Sequence, residues 1–141
     1  ASVNLASRLE GLTKHLGCNI LASDAVVDQL GAQVRDTTNM RRVGPVQVKG
    51  SGSGVVVHDV FQSDARALQA YKRETRETFE KFTRLSLRPD SAIGPAETKR
   101  LTKLRMRLGA AAARHDVTDP SMARIAAARN PDTGMMVFDS K

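Results

Sequence analysis

Leu5, Leu9, Leu12 and Leu16 recur at helical spacing, and that apolar stripe predicts a first helix over residues 2–16, stopped by Gly17. Residues 18–22 follow as a short buried strand. Ser23 is placed to cap a helix from Asp24 to Leu30, which Gly31 ends. The period then changes to two. Val46 and Val48, then Val55 and Val57, alternate as in half-buried strands, so a hairpin is predicted with strands near 40–49 and 54–61. Gly50-Ser-Gly-Ser-Gly54 between them suits a flexible connection.

Beyond the hairpin the helical period returns. Ser63 and Asp64 are expected to begin a long helix in which Leu68, Tyr71, Thr75, Phe79, Phe82 and Leu85 form the apolar face. Arg73 with Glu77, Arg76 with Glu80, and Glu77 with Lys81 are spaced for ion pairs on its outer face, and Pro89 closes it. Gly94-Pro95 restarts a helix whose stripe is Leu101, Leu104, Leu108, Ala111 and Ala112. Asp119-Pro120 opens a last short helix that ends by Asn130-Pro131. No fixed period repeats across these helices, which excludes a solenoid.

The chain has 141 residues, 40% hydrophobic but only 4% aromatic, enough for a modest core of Leu, Val and Ala. Purely apolar runs such as Val55-Val-Val57 are only a few residues long, so nothing is expected to span a membrane, and no signal-peptide pattern is found. A cytoplasmic location follows as the expectation, with a membrane anchor upstream in a parent protein left open. The single cysteine, Cys18, rules out an internal disulfide and suits a small buried residue better than a nucleophile. His15, His58 and His115 show no metal-ligand spacing.

The net charge is +7, and its excess lies after residue 62, where sixteen Lys and Arg face ten Asp and Glu. Lys99, Arg100, Lys103, Arg105 and Arg107 concentrate it. Such a face can bind nucleic acid or anionic lipid. The segment lacks aromatic residues for base stacking and any nucleic-acid motif, so a solvated or dimer-contacting face is the favoured reading.

Candidate chemistry begins at Asn4 and Arg8. On a helix, positions i and i+4 point the same way, so a carboxamide and a guanidinium stand side by side next to the leucine stripe. That pair suits a ligand carrying negative charge. The run Val3-Asn-Leu-Ala-Ser-Arg-Leu-Glu10 closely resembles the V-N-x-A-S-R-L-E signature of class III nucleotidyl cyclases, the adenylate and guanylate cyclase family. Gly11-Leu-Thr-Lys14, Asn19-Ile-Leu-Ala-Ser23, Asp24 to Leu30 and the hairpin from Val43-Gly-Pro-Val-Gln-Val-Lys-Gly50 to Phe61 keep the order of that family's C-terminal half. The resemblance covers about residues 1–62, and residues 63–141 carry no motif of the family.

The resemblance implies an α/β (α+β) fold: the C-terminal portion of a ferredoxin-like class III cyclase domain over 1–62, followed by an α-helical extension over 63–141. It implies a mixed or antiparallel sheet with helices on one face, and active sites formed at a dimer interface. By the same resemblance Asn4 orients the ribose, Arg8 stabilises the phosphate in the transition state, and Lys49 approaches the terminal phosphates. Arg suits its task because the planar fork stays charged and can bond phosphate oxygens bidentately. Gly50 to Gly54 lacks the G-x-x-x-x-G-K-[ST] pattern, so no P-loop is expected.

The family holds Mg²⁺ or Mn²⁺ with two aspartates of its N-terminal half, and that sequence does not occur in this chain. Asp24, Asp28, Asp36 and Asp59 stand outside the family's metal-binding context. The chain starts inside the motif without Met, as a piece of a longer protein would, and alone it is not expected to be a competent cyclase. The expected partners are a nucleoside triphosphate, with ATP favoured over GTP, and either a second copy or the missing N-terminal half. The alternative is a non-catalytic cyclase-like module for dimerisation or regulation in signal transduction.

Overall fold

The protein is seen in a computed structural model that describes residues 11–32, 39–47 and 54–138. Residues 11–16 are helical (α1) and end as the sequence predicts. Gly17 takes φ 68°, the Cys18 N–H donates to the Thr13 carbonyl at 2.9 Å, and the Gly17 N–H approaches the Lys14 carbonyl at 3.4 Å. This is the Schellman arrangement, which needs a left-handed residue. Glycine is required there a second time, because a Cβ on Gly17 would stand 2.9 Å from Cβ of Pro120.

Strand β1 (Ile20–Ser23) starts two residues later than expected and is not a buried strand. Among the described residues it has one strand neighbour, and Ile20 is 45% exposed. Ser23 caps α2 (Asp24–Gln29) as predicted, its Oγ accepting from the Val26 N–H at 3.3 Å. The hairpin forms from β2 (Met40–Gln47) and β3 (Gly54–Val60), and the sheet is antiparallel throughout in the order β1-β3-β2. A bulge at Val43 separates the register set by Arg41 opposite Asp59 from that set by Val46 opposite Val55.

The long helix α3 spans Arg66–Ser86 and buries the predicted Tyr71, Thr75, Phe79, Phe82 and Leu85. Two expectations fail at its surface. The helix begins at Arg66 and not at Ser63 and Asp64; its N-cap is Ala65 with no side-chain bond, and Asp64 is buried in a tertiary ion pair instead. The outer-face ladder also gives way to longer-range contacts. Arg76 reaches the Met40 carbonyl and Glu80 accepts from the Arg42 N–H at 2.9 Å, while Arg73 turns back along the helix to donate to Gln69.

Helix α4 spans Pro95–His115 with Pro at its first position, and Glu97 reaches back to the Gly94 N–H at 2.9 Å. It buries Leu101, Leu104, Leu108 and Ala111, while Ala112 is half-buried. Helix α5 spans Pro120–Ala128 and is capped by Asp119, whose Oδ1 accepts from the Ser121 N–H at 3.0 Å. Position 62 lies in the turn between β3 and α3. One apolar cluster crosses it, joining Leu16, Val43, Val46 and Val57 to Phe79, Phe82, Leu104, Leu108, Ile125 and Met136. Met136 also adds a single parallel bridge to Val46.

Candidate functional site

Asn4, Arg8 and Lys49 lie outside the described residues. At the centre of the described residues is a buried ion network that the sequence reading did not anticipate. Strand register sets Arg41 beside Asp59, with Arg41 Nε donating to Asp59 Oδ2 at 3.0 Å. The two Nη atoms of Arg41 take both oxygens of Asp119, at 2.8 and 3.1 Å, and Phe79 lies 3.7 Å beneath the guanidinium carbon. Lys72, inside the buried face of α3, donates to Asp59 Oδ2 at 2.8 Å and to Asp64 Oδ2 at 2.6 Å. Asn19 donates to the other oxygen of Asp64 at 2.8 Å.

Two cations and three carboxylates therefore meet in the interior, and all five are nearly removed from water. Charges are costly to bury, and they persist here because each is paired at hydrogen-bonding distance. Burial works against the Arg41 charge, but Asp119 and Asp59 more than offset it, so its pKa is raised. Burial likewise pushes Asp119 upward, and the charge and hydrogen bonds of Arg41 outweigh that, leaving its pKa lowered. Asp59 Oδ1 is the one buried carboxylate oxygen of the set without a hydrogen-bond partner.

Because the polar groups are spent on one another, this network can fix the fold but leaves little freedom for proton transfer or ligation. Among the described residues no group of three or more His, Cys, Asp or Glu could hold a metal ion. Asp59 is taken by Arg41 and Lys72, and Asp24 by His58 at 2.8 Å. The described acids therefore do not fit the metal pair that the cyclase resemblance implies.

Helix α5 also grips the end of α1. Ser121 Oγ donates to the Leu16 carbonyl at 2.7 Å, and Arg124 donates to the carbonyls of Lys14 and His15 at 3.0 and 3.3 Å. These carbonyls belong to the last turn of a helix, where a cation is favourable. Cys18 sits in the same joint, its Sγ 3.4 Å from Ser121 Oγ. Burial first, and the charge of Asp59 second, push its thiol up to about 12, which fits the inert role expected from sequence.

Between α4 and α5 runs a groove of about 540 Å³, floored by Tyr71 and Phe82 and walled by Leu108, Ala112, Met122 and Ala126. A smaller chamber of about 220 Å³ shares Phe82, Arg105 and Ala126 with it. Elsewhere on α4, Lys99, Arg100, Lys103 and Arg107 are exposed, and at 3.6 residues per turn they fall in one sector of about 100°. Arg105 stands apart from that sector, its guanidinium carbon 5.5 Å from the Phe82 ring centroid.

The signals that could have revealed the ion network are faint. Lys72 interrupts an otherwise apolar helical face, and Arg41 is a charged residue within strand β2.

No family model and no solved structure matches the chain. It is 41% identical over 59 residues to adenylate cyclase 1 of Rhizobium meliloti (strain 1021), a stretch that is 42% of this chain and 8% of that protein. It is 40% identical over 60 residues to an adenylate cyclase of Anabaena cylindrica, covering 42% of this chain and 12% of that protein. The chain is thus related to adenylate cyclases over part of its length, and it spans only a small fraction of these relatives.

Proposed function

We propose that residues 1–62 are the C-terminal half of a class III nucleotidyl cyclase domain, belonging to a protein that makes a 3′,5′-cyclic nucleotide from a nucleoside triphosphate, ATP in preference to GTP. The observation that carries this is the run Val3 to Glu10 followed in order by the hairpin, now supported by two adenylate cyclases about 40% identical over some 60 residues.

In the proposed reaction the ribose 3′-hydroxyl attacks the α-phosphorus, the bond to pyrophosphate breaks, and the hydroxyl proton is lost. Asn4 holds the ribose so that the hydroxyl is aligned. Arg8 meets the charge that grows on the α-phosphate as the new bond forms, whereas Lys49 binds terminal phosphates already charged in the ground state. Mg²⁺ or Mn²⁺, held through the family's N-terminal half, supplies further charge neutralisation. The helical extension holds this half together, since α5 binds both the end of α1 and Arg41 of β2.

The alternative, a non-catalytic cyclase-like module for dimerisation or regulation, draws on one observation: the buried charges of the described framework are consumed within the fold. An exchange experiment separates the two. Residues 1–62 replace the equivalent stretch of the Rhizobium meliloti enzyme, and cyclic AMP formation is measured. An active chimera is expected, in which Arg8→Ala lowers kcat about a hundredfold or more with little change in KM, and Lys49→Ala chiefly raises KM. A folded but inactive chimera, or an Arg8→Ala variant with parental kcat, overturns the cyclase reading. The isolated chain, given ATP or GTP with Mg²⁺ or Mn²⁺, is expected to form no cyclic nucleotide above background.

A further inference from the structure

We infer that the groove between α4 and α5 is a binding site for a small amphipathic anion, with Arg105 taking the anionic group and the apolar walls taking the chain. The larger chamber, about 540 Å³, lies within the size range of small-ligand sites, and such sites are mostly apolar with a few placed polar groups. Residues 101–112 of α4 run along both chambers, a length of about 16 Å at 1.5 Å per residue. That suits an extended acyl chain of medium length.

Charge decides the sign of the ligand. Arg105 stands where the two chambers meet, is exposed, and has no ion-pair partner among the described residues. The acids that line the groove are already occupied: Asp119 by Arg41, and Asp90 by Arg129 at 2.6 Å. The smaller chamber also holds Ser86, whose buried Oγ lacks a hydrogen-bond partner, so a donor is free near Arg105 for a carboxylate oxygen.

Gly109 points the same way. It lies inside α4, where glycine is an unfavourable residue, and it is not among the residues with positive φ. A Cβ built on it would meet nothing within 4 Å, so no close contact demands its small size. Its place is on the groove, where any longer side chain would fill the space.

The test uses the full chain and displacement of the fluorescent probe 8-anilino-1-naphthalenesulfonate. Decanoate is expected to displace it at concentrations at least tenfold below those needed for decanol, with decyltrimethylammonium ineffective. Arg105→Gln should weaken decanoate about tenfold or more and leave decanol unchanged, as expected for loss of one charge-assisted hydrogen bond, while Arg105→Lys restores part of the preference. Gly109→Leu should abolish binding of both without lowering Tm. Should that variant misfold, Ala123→Leu obstructs the groove from exposed positions on α5. The inference is overturned if decanoate does not displace the probe below its micellar concentration, if decanol competes equally, if Arg105→Gln leaves decanoate unaffected, or if both folded groove-filling variants still bind.

Discussion

Arg41 makes plain what a single side chain does in this fold. Its Nε and both Nη atoms are bonded to carboxylates and its plane rests on Phe79, so neither Lys nor an apolar residue can take its place. Arg41→Ala leaves Asp119 buried without its cation and Asp59 with Lys72 alone, and is expected to cost about 3–5 kcal/mol, read from urea unfolding. The sign of the pH dependence follows from Asp119. Its folded pKa is depressed below its unfolded value, so the stability from that shift is complete above the unfolded value and is lost as pH falls through the folded one. The urea midpoint of the wild type should therefore approach that of Asp119→Asn on acidification from about pH 5 downward. Cys18 gives a second residue-level test: with its thiol pushed up to about 12, it should resist a disulfide reagent at neutral pH until denaturant is added. The sequence disclosed Cys18 as buried and Asp119 as a cap. It did not disclose that Asp119 also grips Arg41, because that pairing joins positions 78 residues apart.

At the scale of elements, helices were legible wherever the 3.6-residue period runs unbroken. The stripes of α3 and α4 are buried much as their spacing implies, and Phe79 and Phe82 are 0% and 5% exposed. Burying one such ring is worth roughly 1.5–3 kcal/mol, and aspartate in its place adds a buried charge. Phe79→Asp and Phe82→Asp are each expected to unfold the chain, seen as loss of the cooperative melting transition. Helix ends were less legible. Ser63 and Asp64 are expected to begin α3, yet Lys72, eight residues on, holds the Asp64 carboxylate in a buried ion pair and the helix starts at Arg66. The opposite case is Asp116, which ends α4 in the left-handed region at φ 54°, where a glycine costs less. Asp116→Gly should raise stability by a few tenths to about 1 kcal/mol, and Gly109→Ala by about 1 kcal/mol, both measurable as higher Tm.

For the whole molecule, the cluster that crosses position 62 and the five buried charges mean that the described residues before and after that position share one interior. Motif matching singles out Asn4, Arg8 and Lys49 as candidates but has no means of finding this joint, since partners distant in sequence carry no common spacing. Nor could it locate the contribution of residue 136, whose isolated bridges to Val46 and Arg129 have no periodicity to announce them. Among the described residues strand β2 pairs with β3 on one side, and on the other the Met136 N–H donates to the Pro45 carbonyl at 3.0 Å while the Gln47 N–H donates to the Met136 carbonyl at 2.9 Å. The final described segment thus acts as a guard on a sheet edge that would otherwise present free hydrogen-bonding groups to another chain. Ending the chain after Thr133 should leave helix content largely intact yet produce concentration-dependent association in light scattering, while a variant that stays monomeric would show that β2 protects its own edge.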